Sequence, residues 1–352
     1  MKKTIMSILL WVASSASAAT TYYVATTGND GAAGTSTGTA FATINKALSV
    51  VAASDTVKVA AGSYTENPAV VTAGGVFLNT IHVIGCDASF GATTSRTVTV
   101  TGRFTTSLGS STNGYYRFEN IGVTGATSTA WALGNLHYLT FINCAAYSNT
   151  GASTDGFNFK DYALFQNCVA YSNGRDGFNG EAGSSNTTIF DGCTAYSNTR
   201  DGFRTYNSGS VFVFCLSYSN TGNGFYSPVS PTVCTIAKNC TADGNGTGIK
   251  LGGRFTIVSN CIISNNTTGS SGYSSDARDT NASYNVYYNN GTARTNFPTG
   301  TGDVSGDPKF VNRAGGNFAL MPSSPAKGIG LPAYLDSGAF QRREGTARAA
   351  CP

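Results

Sequence analysis

Phe165-Gln166-Asn167-Cys168-Val169-Ala170-Tyr171-Ser172-Asn173 returns almost unchanged as Phe141 to Asn149 and as Phe190 to Asn198. Its core is a cysteine followed five residues later by an asparagine. That pair occurs six times, at Cys144/Asn149, Cys168/Asn173, Cys193/Asn198, Cys215/Asn220, Cys240/Asn245 and Cys261/Asn266, with the cysteines 24, 25, 22, 25 and 21 residues apart. A period in the low twenties is too short for paired-helix repeats or propeller blades, and the segments alternate apolar residues between glycine breaks without a leucine-rich signature. The expectation is an all-β parallel β-helix. Coils stacked at about 4.8 Å place like residues in ladders along the axis.

The asparagine ends each strand at a turn, where its amide can bond its own coil and its neighbours, so its expected role is structural. After the turn come Asp-Gly-Phe triplets beginning at Asp155, Asp176 and Asp201, then Asn223-Gly224-Phe225 and Thr247-Gly248-Ile249. Each triplet opens the next strand.

Forty-three glycines and only 11% charged residues suit a solenoid of tight turns and do not suit a helical protein. Met1-Lys2-Lys3, the apolar run Ile5 to Val12 and Ala16-Ser17-Ala18 read as a secretory signal peptide cut after Ala18, with residues 19–352 forming one exported domain. That run is too short to span a bilayer. Removing Lys2 and Lys3 leaves 22 − 2 = 20 basic against 18 acidic residues, a balance that gives no nucleic-acid footprint. A monomer is expected, secreted or periplasmic.

Six of the nine cysteines share one register, which reads as a buried ladder, although stacked disulfides remain open on distance alone. There is no CxxC, so zinc is not expected. His82 and His137 read as structural.

Tyr22-Tyr23-Val24 through Gly28-Asn29-Asp30-Gly31 leads to Ile44, Ala47, Leu48 and Val51, which fall on one helical face and predict a helical cap over about residues 22–54. Regular coils are expected over about 55–290, and a closing segment over about 300–345. The opening resembles the cap of bacterial secreted right-handed parallel β-helix proteins, and Gly306-Asp307-Pro308 through Phe340 resembles the closing segment of that broad group.

If Phe157, Phe178, Phe203, Phe225 and Ile249 point inward, then Asn158, Asn179, Arg204, Tyr226 and Lys250 point outward, with Lys160, Glu181 and Tyr206 two positions on. Such a face, holding Lys160, Glu181, Tyr206 and Tyr226 beside Arg204 and Lys250, suits an acidic sugar chain. Asp155, Asp176 and Asp201 would stack and repel unless neutralised. Either a calcium ion does this, or Arg175 and Arg200 do so as salt bridges.

The repeats over roughly residues 141–266 resemble family 9 polysaccharide lyases, calcium-dependent β-helical pectate lyases with repeats like Asn-Cys-x-Ala-Tyr-x-Asn-Gly. Gly248-Ile249-Lys250-Leu251-Gly252-Gly253 is similar to the family segment that carries the base. The resemblance implies Lys250 as base; Arg204 two coils back is the neighbouring cation expected to help keep it neutral, and calcium is expected on Asp155, Asp176, Asp201 and Asn179. Where the family has Asp-Asp-Gly-aromatic-Asp, this chain has Arg175-Asp176-Gly177-Phe178-Asn179 and Arg200-Asp201-Gly202-Phe203-Arg204, with Glu181 and Asp161 as replacement oxygens. A carbohydrate-binding or cell-surface solenoid without catalysis is the alternative, and an acid–base hydrolase using Asp176 and Asp201 is a third reading.

Overall fold

The computed structural model describes residues 18–72, 79–109, 112–160, 162–181, 187–206, 209–228, 234–252, 255–272, 280–331 and 335–340. The signal peptide apart from Ala18, together with Asp161, Gly253 and Cys351, lies outside these residues.

Three parallel sheets make up the solenoid, two of eleven strands and one of eight that begins at Trp131. One coil shows the plan. Leu164–Gln166 lies in the first sheet, Val169–Tyr171 in the second and Phe178–Gly180 in the third. The chain leaves the first sheet at Asn167 and the second at Ser172, both at φ +52°. Asparagine tolerates this left-handed conformation better than most residues, which explains its place before so many of the cysteines.

The interior fills by size. Phe141, Phe165, Phe190 and Phe212 stack along the first sheet, with ring centroids 4.9, 5.0 and 5.1 Å apart. Phe157, Phe178, Phe203 and Phe225 do the same along the third. The two columns meet edge to face, as in Phe165 on Phe178 at 5.3 Å and 78°. Ala146, Ala170, Ala195 and Ala242 complete the section from the second sheet, where two bulky columns leave room only for small side chains.

The six repeat cysteines, Cys144 to Cys261, form the expected buried ladder and are free thiols. Each approaches a carbonyl of the preceding coil, Cys168 Sγ lying 3.4 Å from Phe141 O. Burial pushes Cys144 up to about 12. The asparagine amides form a second continuous chain. Nδ2 of Asn149, Asn173, Asn198 and Asn220 each donates to the Oδ1 of the next rung at 2.8–2.9 Å.

The helix Ile44–Val50 buries Ile44, Ala47 and Leu48 against the opening coil. Thr43 caps it through Lys46 N at 3.1 Å, and Glu66 accepts the Ile44 and Asn45 amides. The first sheet starts before this helix, since Thr21–Val24 pairs in parallel with Thr56–Val59. At the other end the antiparallel pair Phe310–Asn312 and Asn317–Leu320 folds back over the outer face of the second sheet, covering Leu216, Ile262 and Val286. No described helix is long and apolar enough to cross a membrane.

Candidate functional site

Phe157, Phe178, Phe203, Phe225 and Ile249 are all buried, so the alternate positions of the third sheet face out. Asn158, Asn179, Arg204, Tyr226 and Lys250 lie in one register on five successive coils. The ladder order puts Tyr226 between Arg204 and Lys250. The Arg204 guanidinium carbon lies 4.4 Å from the Tyr226 ring centroid, and Lys250 Nζ lies 5.8 Å from the same centroid. Tyr206 flanks the group, with Arg204 4.6 Å from its ring and Arg204 Nε donating to its hydroxyl at 2.5 Å.

Arg204 is pinned from below. Its Nη1 donates to Asp201 at 2.6 Å, and Asp201 is almost completely buried. Burial works against the charge on Arg204, but the hydrogen bonds to Asp201 and Tyr206 outweigh it and raise its pKa. A guanidinium held on two nitrogens is a preorganised cation at any working pH.

The aspartate column lies beside this face and joins it through Asp201. Arg175 grips Asp155 through Nε at 2.7 Å and through Nη2, and Arg200 grips Asp176 in the same two-pronged way. Each carboxylate also accepts the backbone N–H of the next coil, Asp155 from Asp176, Asp176 from Asp201, and Asp201 from Asn223. Arginine, one of the two expected ways of neutralising this column, is thus present in it. Burial still pushes Asp176 upward despite Arg200.

Glu181 turns away from Arg204. It reaches back two coils, and a Cβ at Gly134 would collide with its Oε1 and with Asn158 Oδ1. Glycine at 134 is what permits that close approach. Lys160 follows the strand Phe157–Phe159, on the coil that also carries Asn158. The structure thus groups Arg204, Tyr206, Tyr226 and Lys250, ties Asp201 to them, gathers Asp155, Asp176 and Asn179 in a buried network, and leaves Lys160 and Glu181 on earlier coils.

Residues 22–303 match a family described as "Pel9A-like, right handed beta helix region". The chain belongs to this family. Its helix is therefore right-handed, as the secreted β-helix resemblance implied. A crystal structure of pectate lyase Pel9A is 19% identical over 93% of this chain and 97% of that one, with a TM-score of 0.65. A rhamnogalacturonan lyase is 16% identical over 76% and 87% at a TM-score of 0.49. The A-module of the Azotobacter vinelandii mannuronan C-5 epimerase AlgE4 is 15% identical over 72% and 88%, also at 0.49. No curated protein matches the chain.

In this Pel9A-like chain the aspartate column, as arranged, does not fit a calcium ion. Calcium takes six to eight oxygens as a rule, whereas the carboxylate oxygens here already accept from Arg175, Arg200, Arg204 and the backbone. Asn179 donates its amide to Asp155 at 2.8 Å. Its Oδ1 is buried without a hydrogen-bond partner among the described residues, and one neutral oxygen makes no cage. Asp243 repeats the arginine device further along. It is buried, and Arg313 of the closing segment donates to it at 2.6 Å, a pairing across 70 residues that no local motif announces.

Proposed function

We propose that this chain acts on an acidic polysaccharide laid across the third sheet, cleaving a uronic-acid polymer such as pectate by β-elimination. The observation that carries this reading is the placement of Arg204 and Lys250 about one ring, Tyr226. Arg204 holds the uronate carboxylate through its remaining nitrogen, Nη2, and so stabilises the charge that develops when the neighbouring proton leaves. Lys250 Nζ, as the neutral amine, takes the proton from the carbon bearing the carboxylate. The C–O bond on the adjacent carbon breaks, a C=C bond forms, and the departing oxygen takes a proton. The Tyr206 hydroxyl accepts from Arg204 Nε, so its own proton is directed elsewhere and can serve that last step.

Membership in a family with a pectate lyase among its solved likenesses supports the substrate class. Calcium is kept as a condition to be tested, and no step above is routed through it. Export through the first 18 residues completes the reading, since such polymers lie outside the cell.

The second reading, a carbohydrate-binding or cell-surface solenoid, is favoured by the same ring. Attraction of an amine to an aromatic face exists only while the amine is charged, and a base must be neutral. Incubation with polygalacturonate separates the readings. Elimination yields a product that absorbs in the near ultraviolet, hydrolysis yields reducing ends without absorbance, and a binding protein yields neither; absence of the absorbing product overturns the lyase.

A further inference from the structure

We infer that a second saccharide-binding platform lies at the corner where the third sheet runs into the first, built from Tyr115, Tyr138 and Tyr162. The three rings stack face to face on consecutive coils, with centroids 4.6 Å apart in both pairs and planes within 5° and 7°. Of the three, Tyr162 is the exposed ring, at 42%.

The backbone beneath them argues for use. Tyr115, Tyr138 and Tyr162 have φ of 47°, 58° and 57°, a region that bulky residues rarely enter. The strand pairing slips at this point, with a register shift between His137 and Leu139 against the preceding coil. A bulge of this kind re-aims a side chain that regular pairing would direct elsewhere. Where the fold needs only a left-handed corner, as between the first and second sheets, it mostly uses Asn143, Asn167, Gly192, Asn239 or Asn260. Three strained tyrosines cost more than two ring contacts return, so the stack is not explained by stability.

The exposed Tyr162 ring, backed by the half-buried Tyr138 and Tyr115, suits the apolar C–H face of a pyranose, and the phenol hydroxyls suit its rim. Lys160 lies two residues before Tyr162 on the same coil and favours a uronate over a neutral sugar. Arg204 sits two coils further along, about 10 Å by strand spacing, so one polymer can reach both places. The inference rests on the reading above only for the class of ligand, and it requires no bond to be cleaved.

Calorimetric titration with a galacturonate oligosaccharide tests it, using wild type, Tyr162→Ala and the pair Tyr138→Asn/Tyr162→Asn. Asparagine suits the left-handed backbone, so the double variant is expected to melt no lower than wild type. Affinity is expected to fall about tenfold in Tyr162→Ala and further in the double variant. If the double variant does not fold, Tyr162→Ala alone decides. Unchanged affinity in Tyr162→Ala, or a wild type that binds no oligosaccharide, overturns the platform. A wild type that binds yet never eliminates sinks the Lys250 chemistry and leaves the platform standing.

Discussion

The Arg204 guanidinium carbon lies 4.4 Å from the centroid of the Tyr226 ring one coil further on, so the ring positions the cation from the side while Asp201 holds it from below. Replacing Tyr226 by Phe keeps the ring and is expected to leave binding of a uronate polymer within about twofold, whereas Tyr226→Ala is expected to weaken it about fivefold to tenfold. Titration of both variants checks this, and equal losses would show that the hydroxyl matters more than the ring.

The arginine clamps are expected to carry stability. Arg200→Ala leaves Asp176 buried with no counter-charge. The cost is expected to be about 3 kcal/mol, at the low end for a broken buried pair because Arg200 itself is partly solvated. Urea unfolding measures it. A loss under about 1 kcal/mol would mean that the backbone amide of Asp201 alone suffices to hold that carboxylate.

The asparagine chain predicts a larger penalty at its centre. Asn198 Nδ2 donates to Ala170 O and Asn220 Oδ1, while its Oδ1 accepts from the backbone and side chain of Asn173. Asn198→Ala strands several buried polar groups at once, at about 1–3 kcal/mol each, so unfolding at room temperature is the expected outcome. A folded variant by circular dichroism would contradict it.

Alkaline pH is expected to loosen the fold. Burial pushes Cys144 and Tyr287 up to about 12 from ordinary values near 9 and 10. A group whose folded pKa is raised keeps more protons in the folded state, so its contribution is intact below the unfolded value and is lost as pH climbs toward the folded one. The melting midpoint should therefore hold below about pH 8 and fall progressively between about pH 9 and 12. A flat profile through pH 11 would contradict the burial of these groups.

The solenoid was legible because stacking turns spatial adjacency into sequence period. Cys144 to Cys261 and Phe157 to Ile249 name two ladders outright. The aspartate register was equally plain, but Asp155 alone does not say whether a metal or Arg175 meets it, since both answer the same charge. The fold-back of Phe310–Leu320 had a signal in Leu216, Ile262 and Val286, apolar residues at outward positions, which becomes readable only when the outward face is known. The tyrosine stack also left a trace. Tyr115, Tyr138 and Tyr162 each stand three residues before Phe118, Phe141 and Phe165. Their left-handed backbone runs against residue preference, so local reasoning passes over it.

The most direct test of the central claim follows near-ultraviolet absorbance while the purified protein acts on polygalacturonate, with added calcium and with a chelator, beside Lys250→Ala and Arg204→Lys. The account predicts an absorbing product from wild type, loss of at least about a hundredfold in rate in Lys250→Ala and a similar loss in Arg204→Lys. The chelator arm decides whether calcium is required. Undiminished product from Lys250→Ala, or no product from wild type under either condition, would contradict the assignment.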